Sequence, residues 1–266
     1  MEEQIAKKAA NVPGHVGVVV KNLKSQKIFM LNERHIFNSA SIIKLPILCA
    51  AYEASKNGLF KLNDRVEFTK GNVYGGNGLI NQFAYGLKPT IRDCMVLMIV
   101  ISDNTATNMV IDVLGGIDNL NSFCQRHGWK NTKVERKLFD PEAMAKGLNN
   151  YTSPCDMADL MERLYKGTLL EQEDCLDAIS ILKKQQVNNK IPAQIIPRWD
   201  IILERSEIKV AHKTGDMPGI EHDVGIVYAP GCDFIVSVMT ENTDNDSAIE
   251  FIGAITKIAL KAFQQN

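Results

Sequence analysis

Three serines in this chain stand three residues ahead of a lysine: Ser41–Lys44, Ser180–Lys183 and Ser206–Lys209. On a helix that spacing puts both side chains on one face, a turn apart. A hydroxyl is a weak nucleophile. An amine without its proton, within hydrogen-bond reach, can take the hydroxyl proton as the oxygen attacks an acyl carbon. Roughly one such match is expected by chance in a chain of this size, so the spacing alone selects no nucleophile. Context selects Ser41. It lies where the stretch Phe37-Asn38-Ser39-Ala40 meets the apolar run Ile42-Ile43-Lys44-Leu45-Pro46-Ile47-Leu48. The pattern predicts Ser41 at a helix N-terminus, where free N–H groups and the positive dipole end favour a developing oxyanion. Lys44 among so many apolar neighbours is expected to have a lowered pKa. The plainer alternative is a helix-capping serine beside a solvated lysine.

Two tripeptides add to this. Ser102-Asp103-Asn104 stands at the junction of two predicted helices, and Lys213-Thr214-Gly215 ends a predicted strand. Taken singly, the first reads as a capping turn and the second as an edge lysine running into a glycine turn.

The elements that must position these residues divide along the chain. β-branched or apolar runs predict strands at His15–Val20, Lys27–Leu31, Ile208–Thr214, Asp223–Tyr228 and Phe234–Thr240, with turns at Pro218-Gly219 and Pro230-Gly231. Helical spacing predicts helices over 2–11, 43–56, 90–101, 104–114, 116–127, 153–165, 171–185 and 247–263. Pro46 implies an irregular turn near the start of the second of these. The fold class that follows is α+β: an antiparallel sheet of about five strands flanked by helices, with an inserted all-helical lobe. Residues 1–37 and 196–266 are expected to form the sheet lobe and 38–195 the helical lobe, with the site in the cleft between them.

Composition narrows the partners. Lys plus Arg number 30 against 31 Asp plus Glu in 266 residues, a net charge of -1. That balance gives no electrostatic case for nucleic acid or an anionic membrane. Mean hydropathy is -0.10, and no apolar run is long enough to span a bilayer. The charged start Met1-Glu2-Glu3-Gln4-Ile5-Ala6-Lys7-Lys8 lacks the apolar stretch of a signal peptide, so the expected location is the cytoplasm unless a leader has been removed. The six cysteines form no C-x-x-C pair and are expected to be small buried thiols, although a Cys49–Cys94 bridge is conceivable. The histidines show no ligand spacing, so no metal and no organic cofactor is implied. A small-molecule acyl donor and a monomeric chain are expected.

Taken together and in this order, Ser41-x-x-Lys44, Ser102-Asp103-Asn104 and Lys213-Thr214-Gly215 resemble the motif set of class A β-lactamases and penicillin-binding proteins. Ser102-Asp103-Asn104-Thr105-Ala106-Thr107-Asn108 followed by Leu114-Gly115-Gly116 is similar to the helix after the second motif in class A enzymes. Thr90-Ile91-Arg92-Asp93, His212-Lys213-Thr214-Gly215 and Gly225-Ile226-Val227 extend the resemblance, which runs from about Ile5 to Leu260. It implies that Ser41 is acylated, Lys44 is base or proton shuttle, and Ser102 relays the proton to the leaving nitrogen. Asn104 would hold Lys44 and the substrate amide. Lys213, Thr214 and Gly215 would receive the substrate carboxylate, and the backbone N–H groups of Ser41 and Asp216 would form the oxyanion hole.

The resemblance breaks in three places. Class A enzymes hydrolyse the acyl-enzyme with a Glu on an omega loop. Here that loop should be Arg136–Asn150. Counting from Arg136 puts Leu138 at the Glu position, whereas aligning Phe139-Asp140-Pro141-Glu142 by content makes Asp140 the base, with Glu142 a third option. Alternatively Asp140 and Glu142 only cap a short helix at Pro141. The arginine usual after the Lys-Thr-Gly strand is missing from Glu221-His222-Asp223-Val224-Gly225, and Asp216 adds a negative charge that should weaken binding of anionic β-lactams. His222, read as a residue in a turn, would compensate when protonated. Tyr74, in the glycine-rich stretch 71–80, is the candidate aromatic bordering the cleft. The expected function is a serine hydrolase working by acyl transfer, with β-lactam hydrolysis leading. The alternatives are a penicillin-binding module that acylates without turnover, and a D-Ala-D-Ala peptidase or esterase.

Overall fold

The computed structural model describes residues 1–73 and 75–265, so Tyr74 lies outside the described residues. Both ends of the chain build one sheet. The order of elements is α1 (Glu2–Ala9), β1 (His15–Asn22), β2 (Ile28–Leu31), β3 (Phe37–Asn38), α2 (Lys44–Lys56), α3 (Ile91–Val100), α4 (Asn104–Val113), α5 (Ile117–Arg126), α6 (Pro141–Ala145), β4 (Tyr151–Thr152), α7 (Pro154–Tyr165), α8 (Gln172–Leu182), α9 (Arg198–Ile202), β5 (Lys209–Met217), β6 (Ile220–Ala229), β7 (Cys232–Glu241) and α10 (Asn245–Gln264). The five-stranded sheet runs β2-β1-β7-β6-β5 and is antiparallel throughout. The fold is α+β, as the strand and helix patterns predict.

Alternation along β1 shows how the sheet divides two cores. Val18 and Val20 point to α1 and α10, among Ile5, Phe234, Ile252 and Phe263. Val19 points the other way, into a core shared with α2, α3, α4, α7 and α8. Successive strand residues face opposite sides, so a continuous Val run is the signature of a sheet covered on both faces. Two-residue turns at Pro218-Gly219 and Pro230-Gly231 join β5 to β6 and β6 to β7. Gly219 (φ +76°) and Gly231 (φ +84°) take the left-handed conformation that such turns demand. These tight turns carry pairing further than the apolar runs suggested: β5 continues through Gly215 and Asp216, and His222 lies in β6.

Three features escaped the periodicity. α6 and α9 have five residues each, and β3 pairs with β4 over Phe37↔Thr152 and Asn38↔Tyr151. Elements of one turn or two residues carry no usable period. The β3–β4 pair nevertheless ties the approach to Ser41 to the end of the loop 136–150. The six thiols are unpaired, five of them buried. Burial raises the Cys94 and Cys124 thiols to about 12. No helix among the described residues is long and apolar enough to cross a membrane.

Candidate active site

Ser41 sits in a tight 3₁₀ turn, Ala40–Ile43, that runs directly into α2. Pro46 falls in the first turn of α2, where its missing N–H costs no intrahelical bond. The turn is entered through Ala40 at φ +42°, a left-handed value unusual for a residue with a side chain. Ser102 (φ +59°), between α3 and α4, is a second such residue, and Phe139 (φ +57°), in the omega-type loop, is a third. All three lie around one cleft, and strain of this kind concentrates at sites that use it.

The structure brings the three motifs together. Lys44 is fully buried, with Nζ 3.1 Å from Ser41 Oγ, 2.8 Å from Ser102 O, 3.0 Å from Ser102 Oγ and 2.7 Å from Asn104 Oδ1. The Ser102 carbonyl and the Asn104 amide oxygen can only accept, so they take two hydrogens of the amine. A neutral amine then keeps its lone pair for the Ser41 hydroxyl. Burial, reinforced by the charge of Lys213, holds the Lys44 pKa well below the usual lysine range, against the opposing pull of Asp103 and Asp216. Lys213 Nζ donates to Ser102 Oγ at 3.0 Å and to Thr214 O at 2.8 Å. Ser102 Oγ therefore bridges two lysines. Burial pushes Lys213 down to about 7, with Asp216 opposing the shift and Lys190 adding to it.

Local interactions hold these groups in place. Asp103 caps α4 through Ala106 N at 2.8 Å and receives Leu79 N and Ile80 N at 2.7 and 2.9 Å. Asn104 N donates to Asn77 O. Gly215 makes the closest approach between β5 and the nucleophile's turn: a Cβ there would lie 3.1 Å from Ile42 Cγ1 and 3.2 Å from Ser41 N. Asp216 follows it, exposed at the rim of the cleft. The cleft holds about 640 Å³ and is lined by Ser41, Asn104, Leu138, Phe139, Asp216 and Glu221, among others. Thr214 Oγ1 is buried and has no hydrogen-bond partner among the described residues.

The loop 136–150 places its three candidates differently. Asn108 grips the main chain at Leu138 from both sides: its Nδ2 donates to Leu138 O at 3.0 Å, and its Oδ1 accepts from Leu138 N at 2.8 Å. Leu138 is buried and lines the cleft beside Ser41. The Asp140 carboxylate instead accepts from Glu142 N and Ala143 N and caps α6, and Glu142 is exposed. Among the described residues no carboxylate of this loop lines the cleft. Asp140→Ala is accordingly expected to lower stability by about 0.5–2 kcal/mol through the lost cap. It should leave the lifetime of any acyl-enzyme unchanged. Denaturant midpoint and adduct decay, measured on one preparation, check both halves; faster or slower decay would restore Asp140 to the chemistry.

His222 differs from its expectation. It lies in β6, fully buried, between Glu221 O and Asn38 O, and burial pushes its pKa to about 4. It is neutral at physiological pH and supplies no charge. A further buried lysine beside the binding strand is Lys190, which sequence reasoning missed. Its Nζ pairs with Glu221 Oε2 at 2.5 Å and donates to Gly215 O and His222 O at 3.3 and 3.4 Å. Asn245 Nδ2 completes the hold on Glu221 at 2.8 Å. A lysine in Asn188-Asn189-Lys190-Ile191-Pro192 carries no local sign of burial.

Comparison with known proteins agrees with this geometry. The β-lactamase of Sphaerobacter thermophilus superposes with a TM-score of 0.89 at 30% identity, covering 100% of this chain and 99% of its own. PBP-A superposes equally well at 28% identity, covering 100% and 96%, and a leucine-to-glutamate variant of PBP-A has been solved as an acyl-enzyme with penicillin G. Beta-lactamase CARB-3 of Pseudomonas aeruginosa is 24% identical over 77% of this chain and 72% of its own length. Residues 1–263 match the beta-lactamase enzyme family as a whole, and with the three motifs converging on one buried lysine, the chain belongs to that family.

Proposed function

We propose that this serine hydrolase-class protein is acylated at Ser41 by β-lactams and releases the acyl group slowly. The lone pair of Lys44 takes the Ser41 proton, and Ser102 passes a proton to the departing nitrogen. The N–H groups of Ser41 and Asp216 receive the oxyanion, while Lys213 and the unpartnered Thr214 hydroxyl hold the substrate carboxylate. The observation that carries slow release is Leu138: a buried alkyl residue lines the cleft at the loop position Asn108 fixes, and it cannot activate water. The penicillin G acyl-enzyme of the PBP-A variant supports acylation by a penicillin on this fold. Intact-protein mass after mixing with a slight excess of benzylpenicillin tests it. A penicilloyl adduct that persists for many minutes is expected; an adduct that clears while penicilloic acid accumulates would mean that the cleft contains an efficient deacylating base.

The two lysines predict a pH profile. Lys44 acts as the free base, so acylation rises with pH through its lowered titration. Lys213 must be protonated to hold a carboxylate, so acylation by a penicillin falls as pH rises through about 7. A neutral ester lacking a carboxylate should show the rising limb without the fall. Second-order acylation constants for both donors across the pH range provide the check, and superimposable profiles would contradict the role given to Lys213.

A further inference from the structure

We propose that Lys190 is a positioning residue for the oxyanion hole: it holds the Gly215–Asp216 peptide group so that the Asp216 N–H faces the acyl carbon attacked by Ser41. The proposal rests on the acylation of Ser41 argued above.

The Gly215 carbonyl and the Asp216 N–H belong to one peptide group. Lys190 Nζ meets that group at its carbonyl end, 3.3 Å from Gly215 O, and lies 3.4 Å from the carbonyl of His222, the residue that Gly215 pairs with on β6. The two carbonyls thus share one ammonium at the seam between β5 and β6. No peptide bond among the described residues is cis, and in a trans peptide the N–H points opposite to the C=O. The Asp216 N–H therefore points away from β6, toward the border where β5 has no further strand and where Ser41 lines the cleft. The approach is close: a Cβ on Gly215 would lie 3.2 Å from Ser41 N, the other donor of the hole.

A network keeps Lys190 at that point. Its side chain is only 1% exposed, so it does not reach a substrate in the cleft. Nζ pairs with Glu221 Oε2 at 2.5 Å, and Asn245 Nδ2 holds Glu221 Oε1 at 2.8 Å and Met217 O at 2.9 Å. The main chain is fixed as well, because Ile191 N donates to Asp223 Oδ2 on β6 at 3.0 Å. Lys190 is thus fastened to the β5–β6 hairpin through its head group and through the peptide beside it.

Stability does not account for a lysine here. Apolar residues of similar volume in place of a buried ion pair are often neutral or stabilising. A charged donor on a peptide carbonyl fixes the plane of that group and polarises it, which strengthens the N–H at the other end. Donors held ready in this way are the ones that stabilise an oxyanion. The charge of Lys190 acts in the opposite sense on the carboxylate pocket. It adds to the burial that depresses Lys213, so its removal would favour the protonated Lys213 that binds a carboxylate. Slower acylation without Lys190 therefore reports lost positioning.

Three variants test the role. Lys190→Met removes the donor, Lys190→Arg keeps it, and Lys190→Met combined with Glu221→Gln removes the ion pair without stranding a carboxylate. Second-order acylation constants are measured with benzylpenicillin and with p-nitrophenyl acetate, which has no carboxylate, and the infrared carbonyl stretch of the penicilloyl ester is recorded. Only folded molecules carry the adduct, so lost stability does not move the band. Both Met variants are expected to react about tenfold or more slowly with either donor. Their ester band should shift to higher frequency, as that of a carbonyl with weaker hydrogen bonds does, and the arginine variant should keep the native band. A band unchanged in both Met variants overturns the positioning role while acylation itself stands. A loss confined to benzylpenicillin overturns it too, because Lys190 would then act on the carboxylate. Absence of any penicilloyl adduct on the native protein overturns the acylation reading and this role with it.

Discussion

Ser41→Ala is expected to eliminate the penicilloyl adduct, with a loss of at least about 10⁴-fold in acylation rate. The size of the effect follows from the geometry. Lys44 Nζ has two obligatory acceptors in Ser102 O and Asn104 Oδ1, and its remaining capacity faces the Ser41 hydroxyl 3.1 Å away. Removing Oγ leaves a base with no nucleophile to activate. Little else should change, because the Ser41 hydroxyl pairs with Lys44, whose Nζ keeps Ser102 O, Ser102 Oγ and Asn104 Oδ1 as partners. Thermal unfolding of the variant should therefore stay close to that of the native protein. A Ser41→Ala protein that still gains the mass of benzylpenicillin would identify Ser102 as acceptor, since its Oγ is the other hydroxyl within reach of both lysines.

Leu138→Glu is the second large effect. It is expected to shorten the life of the acyl-enzyme by about 10²–10⁴-fold, the usual contribution of a positioned general base. The argument rests on what Asn108 holds. It binds the main-chain N–H and C=O of residue 138 and leaves the side chain unengaged, so exchange need not reroute the loop. A carboxylate there would stand beside apolar surface, which favours the neutral acid and raises its pKa toward the range where it exchanges protons with water. The cost is the burial of a polar group where an alkyl chain now packs, about 1–3 kcal/mol. Adduct decay in Leu138→Glu, compared with native protein at matched fraction folded, measures the gain. Unchanged decay would mean that water is excluded from the acyl carbon, and that the missing base is not the limiting factor.

The parts of the site visible in the amino-acid order are those carried by contiguous motifs. Ser41 with Lys44, Ser102 with Asn104, and Lys213 with Thr214 each span at most four residues, and the structure brings all of them to one cleft. The parts that stayed hidden are relations across the chain. The Asn108–Leu138 clamp spans 30 residues, and Lys190 meets Glu221 from a loop with no periodicity. Content alignment favoured Asp140 because Phe139-Asp140-Pro141-Glu142 resembles a known pattern. A Pro at the first position of a short helix asks for an N-cap immediately before it, and the carboxylate serves that need. His222 was misread because a two-residue turn ends at Gly219, placing it two residues inside a buried strand. The sheet was more legible than the site, since strand alternation and Gly turns are local signals.

Strand β5 lies at the border of the sheet, with no strand beyond it among the described residues. Such a border is a template on which another extended chain can add, and proteins normally blunt it to avoid joining their neighbours. β2, at the opposite border, is blunted by being only four residues long. β5 has nine residues and carries Lys213, Thr214 and Gly215, so shortening is not open to it. The turn that bears Ser41 packs against the face of this strand at Gly215, where a Cβ would meet Ile42 Cγ1 at 3.1 Å and Ser41 N at 3.2 Å. The border strand thus keeps an edge on which an extended acyl donor can add beside Ser41, and Gly215→Ala, which has no room for its Cβ, should shift the nucleophile's turn against that edge.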